Sequence, residues 1–199
     1  PGGFEPPTST MSRPIGRTKA RVEKGMRVYA IGDIHGCLDE LTSLLTRIKK
    51  DLAARPVKNH RLIFLGDYVD RGPQSKAVID LLIEIKNSDE TATFLRGNHD
   101  ERLITAHSDI KPEALPGFVR YGGLKTLASY GFGDKVFKLL RQDAPKPKDL
   151  KKFSKKLLTR LGDRQIRFLD ELELNTHQDD YFFCHAGVGP KRRLDDQDP

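Results

Sequence analysis

Carboxylates, imidazoles, a carboxamide and a guanidinium gather beside glycines at four places in this chain, each directly after a short apolar run. Gly32-Asp33-Ile34-His35-Gly36 follows Val28-Tyr29-Ala30-Ile31, and Gly66-Asp67-Tyr68-Val69-Asp70-Arg71-Gly72 follows Leu62-Ile63-Phe64-Leu65. Gly97-Asn98-His99-Asp100 follows Thr91-Ala92-Thr93-Phe94-Leu95, and Cys184-His185-Ala186-Gly187 follows Tyr181-Phe182-Phe183. Asp, His and Asn are hard or borderline metal ligands, and glycine lets backbone approach an ion or a phosphate closely. The recurrence points to metal-assisted hydrolysis. Asp33 and His35 are two apart, so in an extended conformation both side chains project to one side while Ile34 packs away, and one ion takes both.

The surrounding periodicity says how these turns are carried. Arg27 to Ile31 reads as a strand, followed by a helix whose Leu38, Leu41, Leu45, Ile48 and Leu52 alternate spacings of three and four. Leu62 to Leu65 repeats the strand, and Val78, Leu81, Leu82 and Ile85 mark the buried stripe of a second helix that ends at Asn87-Ser88-Asp89. Thr91 to Leu95 gives a third strand, leading into a short helix around Glu101 to Thr105. This is an α/β pattern with a βαβαβ core of parallel strands. Ligand crevices lie at the carboxyl ends of parallel strands, so the three turns converge although they are far apart in sequence.

The 199 residues suit one domain able to bury a core without a structural metal or disulfides. Cys37 and Cys184, the two cysteines, show no CxxC spacing and read as reduced thiols of a cytoplasmic protein. No apolar run approaches the roughly 20 residues that span a bilayer. Residues 1–25, rich in Pro, Gly, Ser, Thr and Arg, read as a disordered basic tail preceding a domain over 26–199. The net charge of +7 draws on that tail and on Lys146 to Lys156. There, Leu150, Phe153, Leu157 and Leu161 recur at helical spacing, so the lysines form a solvated helix face rather than a nucleic-acid patch. Residues 106–180, broken by several prolines and glycines, are expected to form a helical cap and groove wall.

The ordered set GDIHG, GDYVDRG, GNHD and HAG resembles the calcineurin-like metallophosphoesterases, in particular their bacterial phosphoprotein phosphatase branch, from Arg27 to about Pro190. Each motif alone is a modest signal; their order and strand contexts make it specific. The resemblance implies an αββα sandwich and two divalent metal ions, one held by Asp33, His35 and Asp67, the other by Asp67, Asn98 and His185. A bridging carboxylate suits cations about 3.5 to 4 Å apart. The ligand set favours manganese, iron or zinc, with manganese expected to support activity. Water activated by the ion pair would attack phosphorus directly, His99 would protonate the leaving oxygen, Asp70 would orient His99, and Arg71, with Asn98, would hold the phosphoryl group.

Other positions stay open at this stage. Asp100 either caps the following helix or touches substrate, and Arg120 is a substrate contact or a surface salt-bridge residue. The stretch Phe118 to Gly123, with Thr126 to Gly131, is similar to an insertion of bacterial members, without an evident role. His60, His107 and His177 fall outside every motif. The function implied is a serine/threonine-type protein phosphatase acting on phosphoproteins or small phosphate esters. The alternative is a symmetrical dinucleoside tetraphosphate hydrolase, a family that often carries alanine where this chain has Asp70. A third reading is a noncatalytic RNA-binding or scaffold module. Family members carry a further metal-binding histidine and a second phosphate-binding arginine beyond the HAG turn. Neither occurs before Pro199, so the chain is expected to lack C-terminal strands and, alone, to be weakly active or inactive.

Overall fold

A computed structural model of the protein describes residues 19–108, 115–189 and 192–194. Strands β1 (Met26–Ile31), β2 (Asn59–Phe64) and β3 (Ala92–Phe94) form a parallel sheet in the order β1-β2-β3. Tyr29 lies opposite Leu62, and Phe64 opposite Phe94. The Phe64 and Phe94 rings stack at 4.9 Å between centroids, which sets the sheet's core face beneath the turns. Helix α1 (Leu38–Ala54) buries Leu41 and Ile48, as its spacing predicts. Helix α2 (Ser75–Ser88) fully buries Val78, Ile79, Leu82 and Ile83, while Leu81 and Ile85 are only partly covered. Its buried face is turned from the predicted stripe because it packs against helices on several sides as well as against β3.

Helix α3 (Asn98–Ser108) starts three residues earlier than its apolar pattern suggests. Its first turn closes inside the third ligand turn, where the Glu101 amide donates to the Gly97 carbonyl. Short helices α4 (Leu115–Arg120), α5 (Gly123–Ser129) and α6 (Asp134–Leu140) follow, then the long α7 (Pro147–Asp170). Pro147 opens α7, where its fixed φ suits a first helical position. Gly162, at φ 69° and ψ 161°, kinks it. Leu150, Phe153, Leu157 and Leu161 are buried while Lys151, Lys152, Lys155 and Lys156 are exposed, so those lysines are the solvated face. Beyond the kink Phe168 packs on Phe94 and Tyr68, tying α7 to the parallel sheet and the turn after β2.

A second sheet consists, among the described residues, of the antiparallel hairpin β4 (Asn175–Gln178) and β5 (Tyr181–Cys184). It is fastened to the parallel sheet by a Leu95 to Glu173 bridge and by Arg61, whose guanidinium donates to Thr93, Thr176 and the His177 carbonyl. Residues 1–18 of the expected tail lie outside the described residues. Arg21 and Glu23, within that expected tail, are instead held: their amides donate to Asp180 and Asp179 in the hairpin turn. Among the described residues no helix is long and apolar enough to cross a membrane.

Candidate metal centre

The turns after β1, β2 and β3 are bonded to one another before any ligand is considered. The Ile34 and His35 amides donate to the Asp67 carbonyl, the Gly36 amide to Tyr68, and the Gly72 amide to His35. Gly97 lies so close to the second turn that a Cβ there would fall 2.2 Å from the Asp67 nitrogen. One at Gly66, whose φ is 102°, would fall 2.5 Å from the Gly97 nitrogen. These glycines serve the packing of turn against turn, a tighter demand than access for an ion.

His35 donates through Nδ1 to the Val69 carbonyl at 2.8 Å, which leaves Nε2 as a lone pair. That atom is buried, has no hydrogen-bond partner, and faces Asp33 Oδ2 and Asp67 Oδ2, each at 3.6 Å. His185 repeats the arrangement. Its Nδ1 donates to the Leu65 carbonyl at 2.8 Å, while Nε2 faces Asp67 Oδ1 at 3.4 Å and the Asn98 carboxamide at 3.2 Å. Lone pairs aimed at carboxylate oxygens are electrostatically unfavourable unless a cation lies between them, so this donor set fits divalent metal. Asp67 offers one oxygen to each histidine. The five residues named as ligands are thus brought together, and Asp33 lies within 4.8 Å of Asp67 and His185 as well as beside His35.

His99 also approaches His35 and Asp67, yet both of its ring nitrogens are engaged. Nδ1 donates to Asp70 Oδ2 at 2.7 Å, and Nε2 accepts from Arg71 Nη2 at 3.2 Å. The ring is 2% exposed and its amide donates to Asp67 Oδ1. Asp70 is fully buried, and burial raises its carboxyl above the usual range, opposed by hydrogen bonds from Thr126 and His99. Thr126 Oγ1 donates to Asp70 Oδ1 at 2.7 Å and accepts from the Asp70 amide at 2.8 Å. Helix α5 therefore fixes the carboxylate that fixes His99. At its start Gly122, with φ 102°, lets the chain press against the Arg71 backbone. That is the structural role of the YGGLKT stretch.

Asp100 acts as a clamp. Its carboxylate accepts from the amides of Gly97, Asp67 and Tyr68 at 2.8 to 2.9 Å, joining the second and third turns while capping α3. Burial pushes its carboxyl up to about 7, with the Gly97 and Tyr68 amides pulling it back. Backbone strain gathers at the same rim: His35, Asp67, Asp70 and Arg71 have φ of 46°, 55°, 71° and 62°. Each such residue costs on the order of 1–3 kcal/mol, carried by the network that holds it. Beside the Asn98 and His185 side opens a cavity of about 600 Å³ bounded by Gly97, Leu174, Phe182 and Val188.

Arg120 is exposed, its guanidinium 6.0 Å from the Tyr121 ring. His60 lies 3.8 Å from Asp89 and His177 packs on Phe182, both away from the rim, and the His107 side chain lies outside the described residues. The motifs pass over Thr126, Arg102 and Tyr121. Arg102 has one legible signal, its place four residues after Asn98 on a helix, which puts both on one face. Thr126 has none.

Converging carboxylate, imidazole and carboxamide groups at the ends of parallel strands define a metal-dependent phosphoesterase fold. The chain belongs to the calcineurin-like phosphoesterases, a family matched over residues 26–198. It is 39% identical over 87 residues to "Bis(5'-nucleosyl)-tetraphosphatase, symmetrical" of Colwellia psychrerythraea, covering 43% of this chain and 27% of that protein. A protein of the same name from Vibrio campbellii is 28% identical over 170 residues, covering 85% of this chain and 48% of its own length. The crystal structure of a mutant cold-active protein tyrosine phosphatase superposes with a TM-score of 0.50 at 17% identity, covering 88% of this chain and 49% of that one, a likeness of fold. The chain spans less than half the length of these relatives. The calcineurin-like family is what the match establishes; the curated relatives named here carry the name tetraphosphatase rather than protein phosphatase. Asp70, read from sequence as a phosphatase signal, is seen here to hold His99, a task that any leaving group can require.

Proposed function

We propose that the protein hydrolyses dinucleoside tetraphosphates with the help of two divalent cations. The observation that carries the reading is Asp67, whose two carboxylate oxygens face two separate histidine lone pairs, those of His35 and His185. Asp33, His35 and Asp67 would hold one cation, and Asp67, Asn98 and His185 the other, with manganese preferred over iron or zinc. Bound there, the cations supply charge for the phosphoryl oxygens and a water made acidic enough to attack phosphorus.

The chain's own side chains do the remainder. Arg71, on the rim and exposed, turns its guanidinium from His99 Nε2 to the phosphoryl oxygens, a geometry suited to a planar fork of donors. That movement bares Nε2, which can then carry a proton to the departing oxygen. Asp70 keeps the ring aligned, and Thr126 keeps Asp70 in place. Substrate preference is supported by the names of the curated relatives and by the open cavity beside Asn98 and His185.

The test is hydrolysis by the full-length gene product with Mn²⁺, comparing diadenosine tetraphosphate with a phosphoserine peptide. A kcat/KM at least about tenfold higher for the dinucleotide is expected, with ADP as the product. A preference for the peptide overturns the substrate; AMP with ATP overturns the symmetrical cut.

A further inference from the structure

Tyr121 is a large aromatic residue left 43% exposed beside the buried His99 ring. Its ring stands nearly perpendicular to His99, at 87° and 6.2 Å between centroids. The Arg102 guanidinium lies 4.3 Å over the Tyr121 ring, and that of Arg120 lies 6.0 Å away. A stacked Arg and Tyr pair at the surface is worth only about 0.5–1 kcal/mol to the fold, so stability gives little reason to place one here.

Arg102 is also coupled to the metal side. The Asn98 carboxamide reaches His185 with one end and Arg102 with the other. With its oxygen turned to Arg102 it accepts from Nη1 at 2.7 Å, and its NH₂ then faces His185 Nε2. A cation between Asn98 and His185 requires the opposite orientation, which aims the NH₂ group at the guanidinium. Two donors then face each other, and Arg102 must seek another acceptor.

We infer that Tyr121 and Arg102, flanked by Arg120, form the subsite for the departing nucleotide. The inference rests on the tetraphosphatase reading and extends it. The leaving oxygen lies on the His99 side of phosphorus, within reach of a hydrogen bond from Nε2, so whatever is attached to it extends toward Tyr121 and Arg102. When a tetraphosphate is cut at its middle, that group is a nucleoside diphosphate, bearing charged oxygens directly beyond the leaving atom. Arg102 supplies acceptor-seeking donors on that side, over the Tyr121 ring, and Arg120 adds positive charge beside it. Tyr121 holds the guanidinium flat and leaves ring surface for a base, a contact worth about 1–3 kcal/mol per stacked base. A serine leaving group carries no such charge and gains nothing from this corner.

The experiment compares the full-length gene product with its Arg102→Ala, Arg102→Met, Tyr121→Ala and Tyr121→Phe variants in Mn²⁺. Three quantities are read: kcat/KM on diadenosine tetraphosphate, kcat/KM on p-nitrophenyl phosphate, and the inhibition constant of ADP against the aryl ester. Arg102→Ala, Arg102→Met and Tyr121→Ala are expected to lower the dinucleotide-to-aryl-ester ratio about 10- to 100-fold and to weaken ADP by a similar factor. Tyr121→Phe should keep both, since it keeps the ring. Arg102→Met preserves an apolar stem over Tyr121, so a loss there reports charge rather than a damaged fold. An unchanged ratio and unchanged ADP inhibition in a wild-type background that cleaves the dinucleotide overturns the subsite alone. A wild type that cleaves the aryl ester but not the dinucleotide overturns the tetraphosphatase reading and the subsite with it.

Discussion

The two halves of the candidate metal centre are built differently. The half formed by the turns after β1 and β2 is held by backbone bonds between turns, has a buried Asp67 and a largely buried His35, and accepts left-handed φ at both. The half formed by Asn98 and His185 takes an exposed residue from the otherwise buried start of α3 and another from the end of a two-stranded hairpin. His185 is tied to the first sheet by its Nδ1 bond to the Leu65 carbonyl, and its neighbours Ala186, Gly187 and Val188 are exposed. Preorganisation that costs strain is concentrated on one side, and openness to solvent and substrate on the other. The expected consequence is a tightly held cation beside His35 and a more exchangeable one beside His185.

Removing what the halves share should have the largest effect. Asp67→Asn takes away charge that serves both sites, so the full-length gene product should lose on the order of a thousandfold or more in kcat. Elemental analysis after desalting should show both cations depleted. Retention of one cation at full occupancy would mean that Asp67 does not serve both.

Separating the halves should produce a smaller and asymmetric effect. His35→Ala is expected to abolish the tighter phase of a calorimetric Mn²⁺ titration, whereas His185→Ala should weaken only the looser phase, by about 10- to 100-fold. His185→Ala should therefore be partly restored by excess Mn²⁺, and His35→Ala should not. Two wild-type sites of equal affinity, or equal rescue, would break the comparison.

The tighter half was also the more legible in sequence. Asp33, His35 and Asp67 stand out because apolar runs of strand length end directly before them, and parallel strands bring such ends together; Asn98, in the other half, shares that signal. His185 could be placed by the same pattern, though nothing in the sequence says how the hairpin reaches Leu65. Thr126 was invisible: it meets Asp70 across 56 residues of chain, and a threonine within a helix has no periodic signature of a catalytic support. The four left-handed residues were equally hidden, since Asp and His beside glycine suit ordinary turns as well. The branch was less legible than the family for a related reason. The motifs describe chemistry at phosphorus, which phosphatases and tetraphosphatases share, whereas selection of the leaving group rests on residues such as Tyr121 and Arg102 outside them.

Thr126→Val sharpens the contrast further, because it loosens the buried half without touching a candidate ligand. The variant deprives Asp70 of one donor and its amide of one acceptor, at a cost of about 1–3 kcal/mol to stability. Turnover should fall about tenfold on substrates with poor leaving groups and less on p-nitrophenyl phosphate, whose leaving group needs little protonation. Thr126→Ser should restore both. Equal losses on the two substrates would reduce Thr126 to a packing residue.

Asp100 offers the smallest signal and the finest probe of the rigid half. Burial raises its carboxyl from the usual 3.8 to about 7, so the metal-free fold binds a proton that the unfolded chain has already released over that interval. Its contribution to stability is complete below about pH 4 and is lost as pH rises through about 7. In chelator, urea midpoints should therefore fall between pH 5 and pH 8, and Asp100→Asn, with no proton to lose, should fall less steeply. Mn²⁺ should flatten the wild-type profile, because positive charge near Asp67 favours the ionised carboxylate whose oxygens receive the Asp67, Tyr68 and Gly97 amides. If Asp100→Asn followed the wild-type slope in chelator, the titrating group would lie elsewhere, and the clamp between the turns would be one of geometry alone.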